Sequence, residues 1–184
     1  IESIFTDLSL HPQSVNSLKW FDSGKKFSYI KTIDKEYVLM AHNVSDGKEY
    51  QIISGSELSL LCNDNSVSIS NYEWSSNSRY LLFTGLVPAR KVKSGGTFYI
   101  YDVLSNKVTR TIKSEFDQLN ATFSPDESKL AFVRNNNIFI LDIISGLETQ
   151  FTFDGSDEIL NGHFDWVYEE EFSIINGIKW SPDS

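Results

Sequence analysis

The chain has 184 residues and a formal net charge of −9 at pH 7, with 40% hydrophobic and 14% aromatic residues. This composition is ordinary for one globular domain with a buried core and unlike that of disordered chains. The excess of acidic groups argues against nucleic acid as a partner, because phosphate binding needs basic patches. The single cysteine, Cys62, excludes an internal disulfide framework and a cysteine-based zinc site. No apolar run reaches the roughly 18 residues that indicate a membrane-spanning helix.

After a leading segment at residues 1–14, one pattern recurs along the chain. An alternating strand ends in an aromatic residue, a four-residue turn rich in Ser, Pro, Asp or Gly follows, and a second apolar strand comes next. The aromatic residues are Trp20, Trp74, Phe123 and Trp180, spaced by about 50 residues. Strand–turn–strand patterns of this kind predict β-hairpins.

Each interval between these aromatic residues has room for two further strands. Four strands in a repeat of this length are typical of a β-propeller blade. The sequence therefore predicts an all-β propeller fragment of about three four-stranded antiparallel blades, at residues 15–53, 69–112 and 119–152, with a fourth blade starting at 174–184. A β-sandwich is the alternative, but it does not explain the recurring turn. Because propellers have about four to eight blades, we expect the chain to be a piece of a longer protein.

Two segments are longer than the repeat requires. Residues 86–96 lengthen a loop of the second blade and supply the basic residues Arg90, Lys91 and Lys93. Residues 153–173 form an acidic insertion between the third and fourth blades. Loops of this kind often carry function, although the simplest interpretation of the basic loop is a solvated surface.

The acidic insertion holds the strongest functional candidate, because Glu169, Glu170 and Glu171 are three consecutive carboxylates. Neighbouring side chains of a strand point to opposite faces, so these carboxylates converge only from a turn or a short helix, which we predict at 165–172. The simplest interpretation is a solvated loop face. The functional interpretation is that two of these carboxylates bind an ammonium group, which offers donors only, while a nearby arginine binds a carbonyl oxygen. The supporting residues of this candidate site are Asp165, Trp166, Tyr168 and Glu169.

The sequence patterns of several common enzymes are absent. There is no Gly-x-Ser-x-Gly elbow, no Gly-rich phosphate loop, no His-Glu-x-x-His and no calcium loop. The three histidines, His11, His42 and His163, are scattered and are best interpreted as structural or surface residues. We therefore expect no cofactor, no metal site and no catalytic residue in this part of the protein.

The acidic stretch nevertheless carries a resemblance to a known family. Asp-Trp-Val-Tyr-Glu-Glu-Glu at residues 165–171, followed by Trp-Ser-Pro-Asp at 180–183, resembles the N-terminal propeller of the dipeptidyl peptidase IV family. Tyr-Ile-Tyr-Asp at 99–102 and Leu-Ala-Phe-Val at 130–133 are similar to segments of the same propeller. Members of that family are serine exopeptidases that remove dipeptides from peptide N-termini, often after Pro or Ala.

The resemblance implies a role for each part of the candidate site. Glu170 and Glu171 would bind the α-ammonium of the substrate, and Arg90, or alternatively Lys91, would contribute near the substrate carbonyl. The catalytic Ser, Asp and His would lie in a C-terminal α/β-hydrolase domain that is absent from these residues. The implied partners are peptides with a free N-terminus, that hydrolase domain, and a second copy in a homodimer of the full-length protein. The implied location is secreted or periplasmic, or the extracellular face of a membrane-anchored protein.

Two other functions stay open at this point. The chain could belong to a catalytically inactive propeller that binds proteins or peptides, since the nucleophile lies elsewhere. It could also belong to a prolyl oligopeptidase-like endopeptidase, which has no need of paired acids directed at an amine.

Overall fold

The structure, a computed structural model, describes residues 15–86, 94–116 and 118–184. Over these ranges the chain forms twelve β-strands and two short helices. Their bounds are β1 (Asn16–Phe21), β2 (Lys26–Ile33), β3 (Glu36–Asn43), β4 (Glu49–Ser54), α1 (Gly55–Cys62), β5 (Tyr72–Trp74), β6 (Tyr80–Leu86), β7 (Ser94–Asp102), β8 (Lys107–Ile112), β9 (Gln118–Phe123), β10 (Lys129–Arg134), β11 (Asn137–Asp142), β12 (Glu148–Gln150) and α2 (Trp166–Phe172).

The strands form three antiparallel meanders in chain order. Blade 1 consists of β1 to β4, blade 2 of β5 to β8, and blade 3 of β9 to β12. A bridge between Gly95 of β7 and Leu119 of β9 joins blades 2 and 3. The prediction of an all-β propeller fragment built from four-stranded antiparallel blades is confirmed.

The blades stack face to face, and blade 2 is buried on both of its faces. Because side chains alternate along a strand, β6 places Leu81 and Phe83 against blade 1 and Tyr80 and Leu82 against blade 3. All four are buried. This explains why consecutive residues of β6 are apolar. Side chains that alternate in direction along the strand pack into two separate cores, one on each face of blade 2.

The first strand of each blade lies beside the first strand of the next. Between β1 and β5, the Tyr72 hydroxyl donates to the backbone oxygen of Ser17 at 2.6 Å. Between β9 and the residues after α2, the Trp180 indole donates to the backbone oxygen of Thr122 at 3.1 Å. Ile178 also packs into the core of blade 3, so residues after α2 cover this face where the fourth blade is predicted to start.

The recurring turns connect neighbouring blades. In the turns that follow Trp74, Phe123 and Trp180, the last turn residue accepts a hydrogen bond through its side chain. The donor is a backbone N–H in the corresponding turn of the preceding blade. All three acceptor residues have a positive φ, between 61° and 71°. The turn pattern that identifies the blades in the sequence therefore also joins them. The donor and acceptor pairs are Asp22 N to Ser78 Oγ (2.8 Å), Asn77 N to Glu127 Oε1, and Asp126 N to Ser184 Oγ (3.1 Å).

Helix α1, between blades 1 and 2, was not predicted. Its N-terminus is a capping box in which Ser54 Oγ accepts from Glu57 N at 3.2 Å and Glu57 Oε2 accepts from Ser54 N at 2.8 Å. Leu58 is buried in the core shared by blades 1 and 2. The Ser-x-x-Glu pattern at 54–57 is a known start signal and could have located this helix. Neither of the described helices is both long and apolar enough to cross a membrane.

Candidate functional site

The acidic stretch forms the short helix α2. Asp165 is its N-cap, with an extended backbone, and its Oδ1 accepts hydrogen bonds from Val167 N at 3.1 Å and Tyr168 N at 3.2 Å. The helix ends at Phe172, and its C-cap Ser173 has a left-handed backbone with a φ of 54°. An N-cap aspartate satisfies N–H groups that have no partner within a helix, and its charge favours the helix dipole. The prediction of a short helix or turn at 165–172 is confirmed.

Glu170 and Glu171 are both exposed on this helix. Consecutive residues of an α-helix are separated by about 100° around the axis, so the two side chains leave it in different directions. Each side chain has several rotatable bonds, and the convergence of the two carboxylates on one ligand stays a prediction. An ionised carboxylate can accept hydrogen bonds but cannot donate them. A point shared by two carboxylates therefore suits a ligand that only donates, such as an ammonium group.

Aromatic rings line the same helix. Tyr168 lies 5.7 Å from Phe172 between ring centroids, as expected for residues one helical turn apart, and 5.5 Å from Phe164, which precedes the N-cap. Trp166 is 67% exposed. Phe172 is also exposed, and the supporting roles of Trp166 and Tyr168 stay predictions.

The loop that carries α2 is closed at its base against blade 3. His163 and Asn176 form an antiparallel bridge where the two arms of the loop meet. From β9, Asn120 Nδ2 donates to the backbone oxygen of Gly162 at 3.0 Å and to that of Ile175 at 2.9 Å. One buried side chain therefore holds both arms of the loop.

Two further contacts fix the first arm of this loop. His163 is buried, and its Nε2 lies 2.9 Å from Asn136 Oδ1, which fits the structural role expected for this histidine. Gly162 has a φ of +75°, and a Cβ added there would lie 2.7 Å from Cγ2 of Val133. Only glycine fits at this position, because it tolerates a positive φ and the arm lies directly on β10.

A cavity of about 400 Å³ borders the second arm of the loop. It lies between the first strands of blades 2 and 3, and its wall combines polar and aromatic side chains. Ile175 and Asn176 close it on the side of the acidic segment. The loop base therefore lies at the edge of an interblade cleft. The polar and aromatic residues of β5, β6 and β9 that line the cavity are Glu73, Trp74, Thr84, Asn120, Thr122 and Phe123.

The remaining predicted site residues cannot be placed relative to this helix. Arg90, Lys91 and Lys93 lie outside the described residues. Over the described ranges, no three His, Cys, Asp or Glu side chains gather in a way that could hold a metal ion.

Asn120 and Asn136 anchor the loop, and sequence reasoning missed both of them. Asn120 contacts carbonyl groups that are 42 and 55 positions away along the chain. Asn136 contacts His163, which is 27 positions away. The one local signal was an asparagine placed within an otherwise regular strand pattern at 119–123.

Comparison with protein families gives a direct match. The sequence model described as "Dipeptidyl peptidase IV (DPP IV) N-terminal region" matches residues 74–184, which include β6 to β8 of blade 2, all of blade 3 and the whole acidic segment.

The similar proteins include a prolyl endopeptidase and two dipeptidyl peptidases. Human prolyl endopeptidase FAP is 30% identical over 164 residues, covering 88% of this chain and 20% of that protein. Bovine dipeptidyl peptidase 4 is 32% identical over 120 residues, covering 64% of this chain and 16% of that protein. The solved structure of Porphyromonas gingivalis dipeptidyl peptidase 4 superposes with a TM-score of 0.70 at 28% identity, covering 96% of this chain and 25% of that one. The matched region thus spans about a sixth to a quarter of the length of these relatives.

Proposed function

Because this chain belongs to the dipeptidyl peptidase IV family, as part of its N-terminal region, we propose that it recognises substrate for a serine dipeptidyl peptidase. In this proposal Glu170 and Glu171 bind the free α-ammonium group of a peptide. The observation that carries the proposal is the form of the acidic stretch. It is an N-capped helix with both glutamates exposed, and its loop is anchored at both ends to blade 3.

The chemistry of the pair matches this ligand. A peptide α-ammonium has only hydrogens to donate, and two carboxylates satisfy them while neutralising its charge. A hydrogen bond to a charged group contributes about 1.5–3 kcal/mol, which corresponds to about 10- to 100-fold in affinity. Fixing the N-terminus of the peptide also fixes how many residues reach the nucleophile. In this way the pair would select the release of dipeptides.

The rest of the machinery is proposed from the family. The nucleophile and its Asp and His partners would come from the C-terminal hydrolase domain, outside these residues. Arg90, or alternatively Lys91, would bind near the substrate carbonyl and lower the repulsion between the two glutamates. A secreted or periplasmic location belongs to the same proposal.

The test is the full-length protein with Glu170→Gln or Glu171→Gln, assayed on dipeptide anilides with either a free or an acetylated amine. Glutamine keeps the shape and removes the charge. We expect kcat/KM for the free amine to fall by about 10- to 100-fold in each variant, with little change for the acetylated substrate. The matched control is Glu158→Gln, an exposed glutamate of the same segment before the helix, which should behave as wild type. An equal loss on both substrates would contradict the proposal.

One observation favours a second function. The human relative that is 30% identical is named a prolyl endopeptidase. If the protein acts in this way, peptides with a blocked N-terminus and an internal proline are cleaved efficiently. Neutralising Glu170 or Glu171 would then leave that activity intact, so the same assay separates the two functions.

A further inference from the structure

We propose that Asn120 is a positioning residue for the amine site. Its side chain holds both arms of the acidic loop and so sets where Glu170 and Glu171 meet the substrate. This inference rests on the function proposed for the two glutamates, and it adds a residue of blade 3 to their site.

The backbone of β9 is built to direct this side chain out of the strand. Thr122 pairs with Ala131 and Leu119 pairs with Val133, so two residues of β9, Asn120 and its neighbour, face a single residue of β10. This is a β-bulge, and the φ of Asn120 is 55°. Bulges redirect a side chain and occur often beside active sites, and asparagine tolerates this left-handed conformation better than most residues.

The amide of Asn120 matches its two acceptors. An asparagine NH₂ group has two hydrogens, and Asn120 donates one to Gly162 O on the first arm and one to Ile175 O on the second. Gly162 O also accepts from Gly177 N at 3.1 Å. Only 9% of Asn120 is exposed, so breaking these bonds leaves carbonyl groups poorly solvated and favours separation of the arms.

Blade 1 contains a simpler contact of the same kind, made by a residue at a β-bulge. Ser17 occupies the equivalent position, three residues before the aromatic residue, with a φ of 54° at a bulge in β1. Its Oγ donates to the backbone oxygen of Ser70, just before the first strand of blade 2, at 3.3 Å. In both blades a bulged residue therefore holds the chain that enters the next blade. Of these two residues, Asn120 also holds the far arm of a loop with a candidate site.

The contacts of Asn120 affect the position of helix α2. α2 has only seven residues and little buried surface, so its place depends on the arms of its loop. A displacement of about 1 Å in a binding group can reduce a rate by about 100-fold. A substrate with an acetylated amine does not use the glutamates and is insensitive to such a displacement. Loss of the Asn120 amide should therefore reduce the preference for a free amine, beyond any general loss of stability.

The experiment compares Asn120→Gly with Ser17→Gly in the full-length protein. Glycine tolerates the positive φ at both bulges, so each change removes only the side-chain donor. We expect Asn120→Gly to lower the ratio of kcat/KM for free and acetylated anilides by about tenfold or more, and Ser17→Gly to leave the ratio unchanged. Amide hydrogen exchange of residues 163–176 should accelerate in Asn120→Gly alone. Asn120→Asp, which keeps the size but loses the donor, should give the same result if the glycine variant folds poorly.

A combined variant tests whether Asn120 acts through the glutamates. If it does, adding Asn120→Gly to Glu170→Gln lowers the ratio little further, whereas independent effects would multiply. An unchanged ratio in Asn120→Gly, while Glu170→Gln lowers it, would overturn the inference and leave the proposed function standing. An unchanged ratio in Glu170→Gln would refute the proposed function itself, and hydrogen exchange would then report only whether Asn120 holds the loop.

Discussion

The blades and the acidic segment are stabilised in different ways. In the blades, large apolar side chains are removed from water on both faces of a sheet, as for Phe132 at 0% and Leu82 at 1% exposure. In residues 153–173 the large side chains are mostly at the surface, with Phe153 at 77%, Trp166 at 67% and Phe172 at 63% exposure. The segment is nevertheless anchored, because Asn120 and Asn136 bind its base through hydrogen bonds.

This difference separates stability from the candidate function. Burial of apolar area supplies most of the free energy of folding, so the blades should dominate global stability. The acidic helix contributes little burial, and Trp166, Glu170 and Glu171 are exposed on it. A rigid scaffold that presents an exposed loop through a few directed hydrogen bonds is a common way to build a binding site.

The largest expected effect is on the free energy of unfolding, and it is tested by replacing one phenylalanine in each region. Phe132→Ala removes a ring that packs against Phe98 between blades 2 and 3, at 5.8 Å between centroids, and should lower the free energy of unfolding by about 3–5 kcal/mol. Phe172→Ala, on the exposed face of α2, should lower it by less than about 1 kcal/mol. Urea unfolding of the two variants measures both values. Similar losses would mean that the acidic segment is part of the main core.

The next largest effect on stability is expected at Gly162, where the acidic segment packs against blade 3. Gly162→Ala places a Cβ 2.7 Å from Val133 at a φ of +75°, and should cost about 1–3 kcal/mol through strain and displacement of the first arm. Gly47→Ala is the control, because its φ is +69° and nothing lies within 4 Å of the added Cβ, so only the backbone cost applies. Limited proteolysis should cut within residues 163–176 faster in Gly162→Ala alone. Equal behaviour of the two variants would show that the contact with Val133 is unimportant.

The sequence reveals the two regions to different extents, for physical reasons. The blades were predictable because burial on both faces imposes apolar strands, and because the turn after each aromatic residue repeats. Helix α2 was predictable from its adjacent carboxylates and the aspartate before them. Helix α1 was missed although its capping box, Ser54 with Glu57, was visible. The role of Asn120 could not be predicted, because it depends on carbonyl groups brought near only by folding.

The smallest expected effect is a response of the blades to acid, through Asp64 in the connection between α1 and β5. Hydrogen bonds from the hydroxyl and backbone N–H of Ser66 and from the Tyr99 hydroxyl of β7 lower the pKa of Asp64 from 3.8 to about 2. Because the folded pKa lies below the unfolded one, this stabilisation is present above about pH 4 and is lost as the pH falls towards 2. Asp64 is partly exposed and solvent weakens the effect, so we expect about 1–2 kcal/mol.

Urea unfolding between pH 6 and pH 2 tests this expectation. Asp64→Asn should be less stable than wild type at pH 6, and the difference should shrink towards pH 2, because the asparagine has no charge to lose. Tyr99→Phe removes one donor and should give a smaller change of the same sign. Since Tyr99 lies in the core between blades 1 and 2, acid acting through Asp64 should loosen the blades before it affects the Asn120 contacts. If hydrogen exchange of residues 163–176 rises first on acidification, the acidic segment is instead the more acid-sensitive of the two regions.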